Sequence, residues 1–137
     1  MIIIYHGRRP YLPLLACALH LGLPQGAEPF LPGDLQRDWR AAPLHLAGKD
    51  GGGGIVGCLV HGRHRGLYMR TLAGMAGLFG LSLAWVDLDK ELADGRTAAK
   101  AKIFLADRWP AMFGERFRAV AAEAVRPALL GRPGGEP

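Results

Sequence analysis

The chain has 137 residues, half of them hydrophobic, enough to bury one core without disulfide staples and too few to build two domains. Its 17 Lys and Arg outnumber 12 Asp and Glu, and the formal charge of +5 favours anionic partners without choosing among nucleotide, nucleic acid and acidic protein. The basic residues, mostly arginine, are scattered along the chain rather than gathered in a stripe with interleaved aromatics, which argues against nucleic acid.

Ile2 to Tyr5 is continuously apolar and β-branched at three positions, the pattern of a strand buried on both faces in a parallel sheet. The run has no basic flank and is too short for a signal sequence. A polar turn follows at His6-Gly7-Arg8-Arg9. Pro10 and Pro13 then suit a helix's first turn, and Leu14, Leu15, Ala18, Leu19 and Leu21 recur at helical spacing up to Gly22. Residues 24 to 43 hold Pro24, Pro29, Pro32 and Pro43 and read as a long, partly structured connection, with a short helical turn from Gly33-Asp34 through Trp39. Leu44 to Ala47 and Ile55 to Val60 are short apolar runs joined by Gly48-Lys49-Asp50 and four glycines, which predicts a hairpin and a mixed sheet.

Leu67 to Phe79 reads as a second helix closed by Gly80, and Leu83 to Leu88 as a further strand. Thr71 to Val86 carries no charge, but Arg70 and Asp87 bound it below the roughly 18 to 20 residues a membrane helix needs, so a buried helix followed by a buried strand is expected. Two Ala-rich helices are expected near Thr97 to Asp107 and Glu115 to Arg126, the second with Phe117, Val120, Ala121, Ala124 and Val125 on one face. The pattern predicts a three-layer α/β/α domain over residues 1–130 with a mixed, mostly parallel sheet of about four strands, and a disordered tail at 131–137. Cys17 and Cys58, both in apolar sequence, read as buried free thiols of a reduced, cytoplasmic protein.

The two strand-to-helix junctions are alike. Tyr5-His6-Gly7-Arg8-Arg9 and Val60-His61-Gly62-Arg63-His64-Arg65 each leave a strand and enter a helix that ends in Gly-Leu, at Gly22-Leu23 and Gly80-Leu81. In an open α/β sheet, ligands sit beyond the carboxyl ends of the parallel strands, where helix N-termini present free N–H groups. Arg8, Arg9, Arg63 and Arg65, with His6, His61 and His64 beside Gly7 and Gly62, are therefore the candidate contacts for a phosphate or carboxylate. A solvated basic loop surface is the plainer alternative. No phosphate-binding P-loop or dinucleotide fingerprint is present, and no cofactor is indicated.

Asp87 and Asp89, at a strand end, could hold magnesium beside a bound phosphate, or simply end the strand and cap the next helix. The spacing of Cys58, His61 and His64 resembles a metal trio, but a strand would turn Cys58 and His61 to opposite faces, so no metal is expected there. His20 and His45 read as helix-surface and strand residues without assigned roles. Ser82, the one serine, lies in a turn, and Thr71 and Thr97 have no base nearby in sequence, so a hydrolase triad is not indicated.

The opening Met1-Ile2-Ile3-Ile4-Tyr5-His6, the helix end Ala18-Leu19-His20-Leu21-Gly22-Leu23-Pro24, the Leu44 to Gly48 strand, and Val60-His61-Gly62-Arg63 before Leu72 to Leu81 together resemble an uncharacterised bacterial family, the domain-of-unknown-function family 3189. The resemblance spans roughly the first two thirds of the chain and implies no known activity. Members usually follow the first strand with a Cys and a Gly-Gly-Thr-His-Ser-Ser type turn; here Gly7-Arg8-Arg9-Pro10-Tyr11-Leu12-Pro13 stands instead, and only His61-Gly62-Arg63 carries over.

Three functions follow as expectations. The first is binding of a small anionic, phosphate-bearing ligand at the carboxyl edge of the sheet. The second is a non-catalytic interaction or regulatory subunit that oligomerises with itself or a relative, favoured by exposed apolar surface on the Ala-rich C-terminal helices. The third is a magnesium-dependent enzyme on a phosphorylated substrate, with His6 or His61 as acid or base, which requires those turns and the aspartates to be neighbours.

Overall fold

Three isoleucines in a row leave no polar face, and strand β1 (Ile2–Gly7) accordingly runs through the middle of the sheet, buried from Ile3 to His6. The computed structural model describes residues 1–22, 39–93 and, near the C-terminus, 121–123, 125–126 and 129. Helix α1 (Tyr11–His20) follows, then the hairpin of β2 (Leu44–Lys49) and β3 (Ile55–Val60). Helix α2 (Arg65–Leu78), strand β4 (Leu83–Asp87) and helix α3 (Leu88–Ala93) complete the described order.

The four strands form one mixed sheet in the order β2-β3-β1-β4, with β1 parallel to both β3 and β4 and β2 antiparallel to β3. This is the α/β sheet the sequence predicts. β1 extends two residues beyond the expected strand, because Gly7 still pairs with Val60 and the His61 N–H donates to the Gly7 carbonyl at 3.1 Å. His6 and Gly7 are therefore strand residues, not turn residues, and His6 is buried.

The core lies between the sheet and α1. Ile3 and Tyr5 of β1 and Val56 and Cys58 of β3 pack with α1, which is buried continuously from Tyr11 to Ala18. A helix buried all round needs cover on its far side, and Ala121 and Val125, both helical and fully buried, belong to the same cluster. Cys17 and Cys58 are free and buried, as expected. Their mutual contact, with burial, pushes the Cys17 thiol well above its ordinary range, so it is an unreactive core group. Gly22 and Gly80, both at φ +68, end α1 and α2 in the left-handed conformation that glycine adopts without a Cβ clash.

Helix α2 departs from expectation. Of its residues only Ala76 is buried, and β4 is half-buried along its length. Absence of charge from Thr71 to Val86 does not aim a helix face: β4 is an edge strand, and Gly66, Gly74, Gly77 and Ala73 supply little side chain to pack. The predicted connection 24–43 lies outside the described residues up to 38. So do the predicted helix 97–107, most of the predicted helix 115–126, and the tail at 131–137.

Candidate functional site

β1, β3 and β4 end together. Gly7 stands opposite Val60 and His6 opposite Asp87, so both His-Gly-Arg junctions and the aspartate pair meet at one edge of the sheet. The chain turns sharply after Gly7, where an added Cβ would meet Pro13 Cγ at 3.2 Å and Asp89 Oδ1 at 3.3 Å. The Arg8 N–H donates to both carboxylate oxygens of Asp89, at 3.2 and 3.0 Å, which fixes the turn that presents Arg8 and Arg9.

Behind the turns two buried imidazoles touch. His6 Nδ1 lies 3.5 Å from His61 Nε2, and the edge of Trp85 closes on His6 with ring centroids 5.9 Å apart. His61 Nδ1 lies 3.2 Å from the Gly62 carbonyl, which only accepts, so the His61 proton sits on Nδ1 and its neutral Nε2 accepts from His6 Nδ1–H. Asp89 Oδ2 is 3.9 Å from the same Nε2, placed to pair with His61 if it gains a second proton.

Burial holds His6 down at about 4 from the usual 6.5; Asp87 opposes this, while His61 and Arg65 reinforce it. The unfolded chain thus takes up the His6 proton before the folded one. This contribution to stability is complete above pH 6.5 and is lost as the pH falls towards about 4. One pKa unit is worth about 1.4 kcal/mol, and screening by the polar neighbours reduces the full shift to an expected loss of about 1–2 kcal/mol across that window. Urea denaturation at pH 7 and pH 4.5 should show it, and His6→Phe should flatten the dependence.

In front of His61 opens a cavity of about 840 Å³. Arg8, Arg9, Arg40, Arg63, His61 and His64 supply its polar wall, and among the described residues no Asp or Glu lines it. Pro10 and Tyr68, on the other walls, belong to the starts of α1 and α2. Neither helix has a side-chain cap or an acidic residue in its first turn, so the partial positive charge at both N-termini is not offset there.

Of the residues singled out in the sequence, Arg8, Arg9, His61, Gly62, Arg63 and His64 line this cavity. His6 sits behind His61, Gly7 is packed under Pro13 and Asp89, and Arg65 pairs with Asp87 at 3.0 Å. Trp39, Arg40 and Tyr68 were not legible as site residues. Arg40 falls within the stretch read as a connection, and Tyr68 lies one helical turn beyond His64. Its i, i+4 spacing from His64 was the available clue for Tyr68.

The turns and the aspartates are neighbours, as the enzyme reading requires, but both carboxylates are engaged. Asp87 accepts from Arg65 and from the Lys90 N–H at 3.1 Å, the helix-capping role weighed above, and Asp89 accepts from Arg8. Among the described residues no group of three or more His, Cys, Asp or Glu side chains converges on a metal position. His20, read as a surface residue, is instead part of a buried chain. Tyr5 Oη lies 2.6 Å from its Nδ1, and its Nε2 lies 3.0 Å from Asp50 Oδ2.

No family model, curated protein or solved structure matches the chain. Among the described residues no helix is long and apolar enough to cross a membrane.

Proposed function

We propose that this chain binds a small anionic, phosphate-bearing ligand in the cavity at the carboxyl edge of its sheet. The supporting observation is a wall with four arginines and two histidines and, among the described residues, no carboxylate, fronted by two helix N-termini without side-chain caps. Like charges gathered on one wall repel one another, and an anion relieves that repulsion. We further read the chain as a divergent member of family 3189, acting in the cytoplasm.

The test is thermal stability across inorganic phosphate, sulfate, sugar phosphates and nucleotides, with and without magnesium. A ligand that binds only the native state at a hundred times its Kd stabilises by about 2.7 kcal/mol. We expect a selective rise in Tm that Arg63→Ala abolishes. No shift with any of these anions would reject the reading.

One observation favours the second reading, an interaction or regulatory subunit. The outer side of α2 and the turn after it expose Leu67, Met75, Leu78, Phe79 and Leu81, with Leu78 and Phe79 at 85% and 74% exposure. The C-terminal helices, where exposed apolar surface was expected, lie almost wholly outside the described residues; the exposed apolar residues described here lie on α2 and the turn after it. Sedimentation at high concentration discriminates: a stable oligomer lost on Phe79→Ser supports the subunit, and a strict monomer removes its self-association form.

A further inference from the structure

We propose that the ligand class is a nucleoside di- or triphosphate, its phosphates on the arginines and its base stacked against Tyr68. The inference rests on the anion-binding reading and adds a second subsite to it. Three features of the cavity exceed what a simple phosphate requires.

The first is size. Small-molecule sites typically enclose roughly 300–1,000 Å³, and a cavity of about 840 Å³ lies towards the upper end of that range. Inorganic phosphate would leave most of it to water. The second is charge. Arg8 and Arg9 enter from the turn after β1, Arg63 from the turn after β3, and Arg40 from the segment before β2. Guanidinium groups arriving from separate turns suit a chain of phosphates better than a single tetrahedral anion, because the planar forks of Arg8 and Arg63 can each engage their own pair of oxygens.

The third is the aromatic wall. Tyr68 is half-buried, and the His64 ring meets it edge to face with centroids 6.3 Å apart and planes at 88°. This contact restricts the ring, and its place in the cavity lining offers it to a flat ligand. Trp39 adds a second aromatic to the lining while packing against the core, so it belongs to the frame of the cavity and Tyr68 is the residue free to be varied. An aromatic face recognises a nucleobase of any identity, whereas a sugar phosphate or polyphosphate gains nothing from it.

The experiment is calorimetric titration of the full chain with inorganic phosphate, pyrophosphate, ribose 5-phosphate, adenosine diphosphate and guanosine diphosphate, repeated on Tyr68→Leu, Tyr68→Phe and Arg63→Ala. The nucleotides should bind at least tenfold more tightly than pyrophosphate. Tyr68→Leu should bring them to the pyrophosphate level while leaving pyrophosphate unchanged, and Tyr68→Phe should retain the difference. Arg63→Ala should weaken every anion. Pyrophosphate binding as tightly as the nucleotides, or Tyr68→Leu weakening all anions equally, overturns the base subsite and leaves anion binding standing. Failure of every anion to bind overturns both. A single-stranded oligoribonucleotide that outcompetes the nucleotides by more than tenfold would also overturn the proposal, in favour of nucleic acid.

Discussion

Replacing His20 by leucine should lower the stability of the fold by about 2–3 kcal/mol, although no part of His20 lines the cavity. Asp50 only accepts, so the His20 proton sits on Nε2, and the neutral Nδ1 accepts from the Tyr5 hydroxyl at 2.6 Å. Tyr5 is fully buried and the His20 side chain is 2% exposed, so the leucine would remove a short acceptor where water cannot substitute for it. The same carboxylate accepts from the Gly52 and Gly54 N–H groups, tying the end of α1 to the hairpin turn. Tyr5→Phe alone should cost about 1–2 kcal/mol, since it leaves the buried His20 Nδ1 without its donor. The double variant should therefore be more stable than the sum of the two losses implies, which urea denaturation of the four proteins would measure. Additive losses would show that the three groups do not act as one chain. The hydrogen bond from His20, then those from Gly54 and Gly52, hold the Asp50 carboxyl below its usual 3.8. Its contribution is thus present above that pH and lost as the pH falls below it, a window lower than that of His6.

The sheet was legible because its signal is local. Ile2-Ile3-Ile4 and Ile55 to Val60 are apolar over the length of a strand, and the glycine-rich turn between Lys49 and Ile55 allows only an antiparallel return for β2. The site was legible in part for the same reason: two similar junctions on parallel strands must open at the same edge. What the sequence hid depends on partners far along the chain. His20 reads as a surface residue until the hairpin places Asp50 30 residues away beside it. Asp89 reads as either a magnesium ligand or a strand-end cap until the turn after β1 offers it the Arg8 N–H, 81 residues earlier. The exposure of α2 was hidden for a different reason. A run of Leu, Met, Ala and Gly is compatible with burial or with an outward apolar face, and only the edge position of β4 decides between them.

The largest functional effect should come from reversing charge inside the cavity. The variant Arg8→Glu with Arg63→Glu is expected to weaken binding of any polyphosphate by at least a hundredfold. A hydrogen bond to a charged group is worth about 1.5–3 kcal/mol, two such contacts are lost, and two carboxylates then face the anion. Both side chains are exposed, and the turn geometry rests on the Arg8 backbone N–H, so the fold should lose no more than about 0.5 kcal/mol. A change of four charge units also alters the field of the whole molecule, and its contribution must be separated from that of contact. Arg70→Glu provides the control, because Arg70 is an exposed residue of α2 that does not line the cavity. At about 0.15 M salt the screening length is about 8 Å, so Arg70→Glu should change affinity less than threefold there and more at low salt. The paired reversal should remain severe at both salt concentrations. If the two variants weakened binding alike, and both effects vanished with salt, the arginines would act only as a diffuse positive surface and the cavity would not be the site.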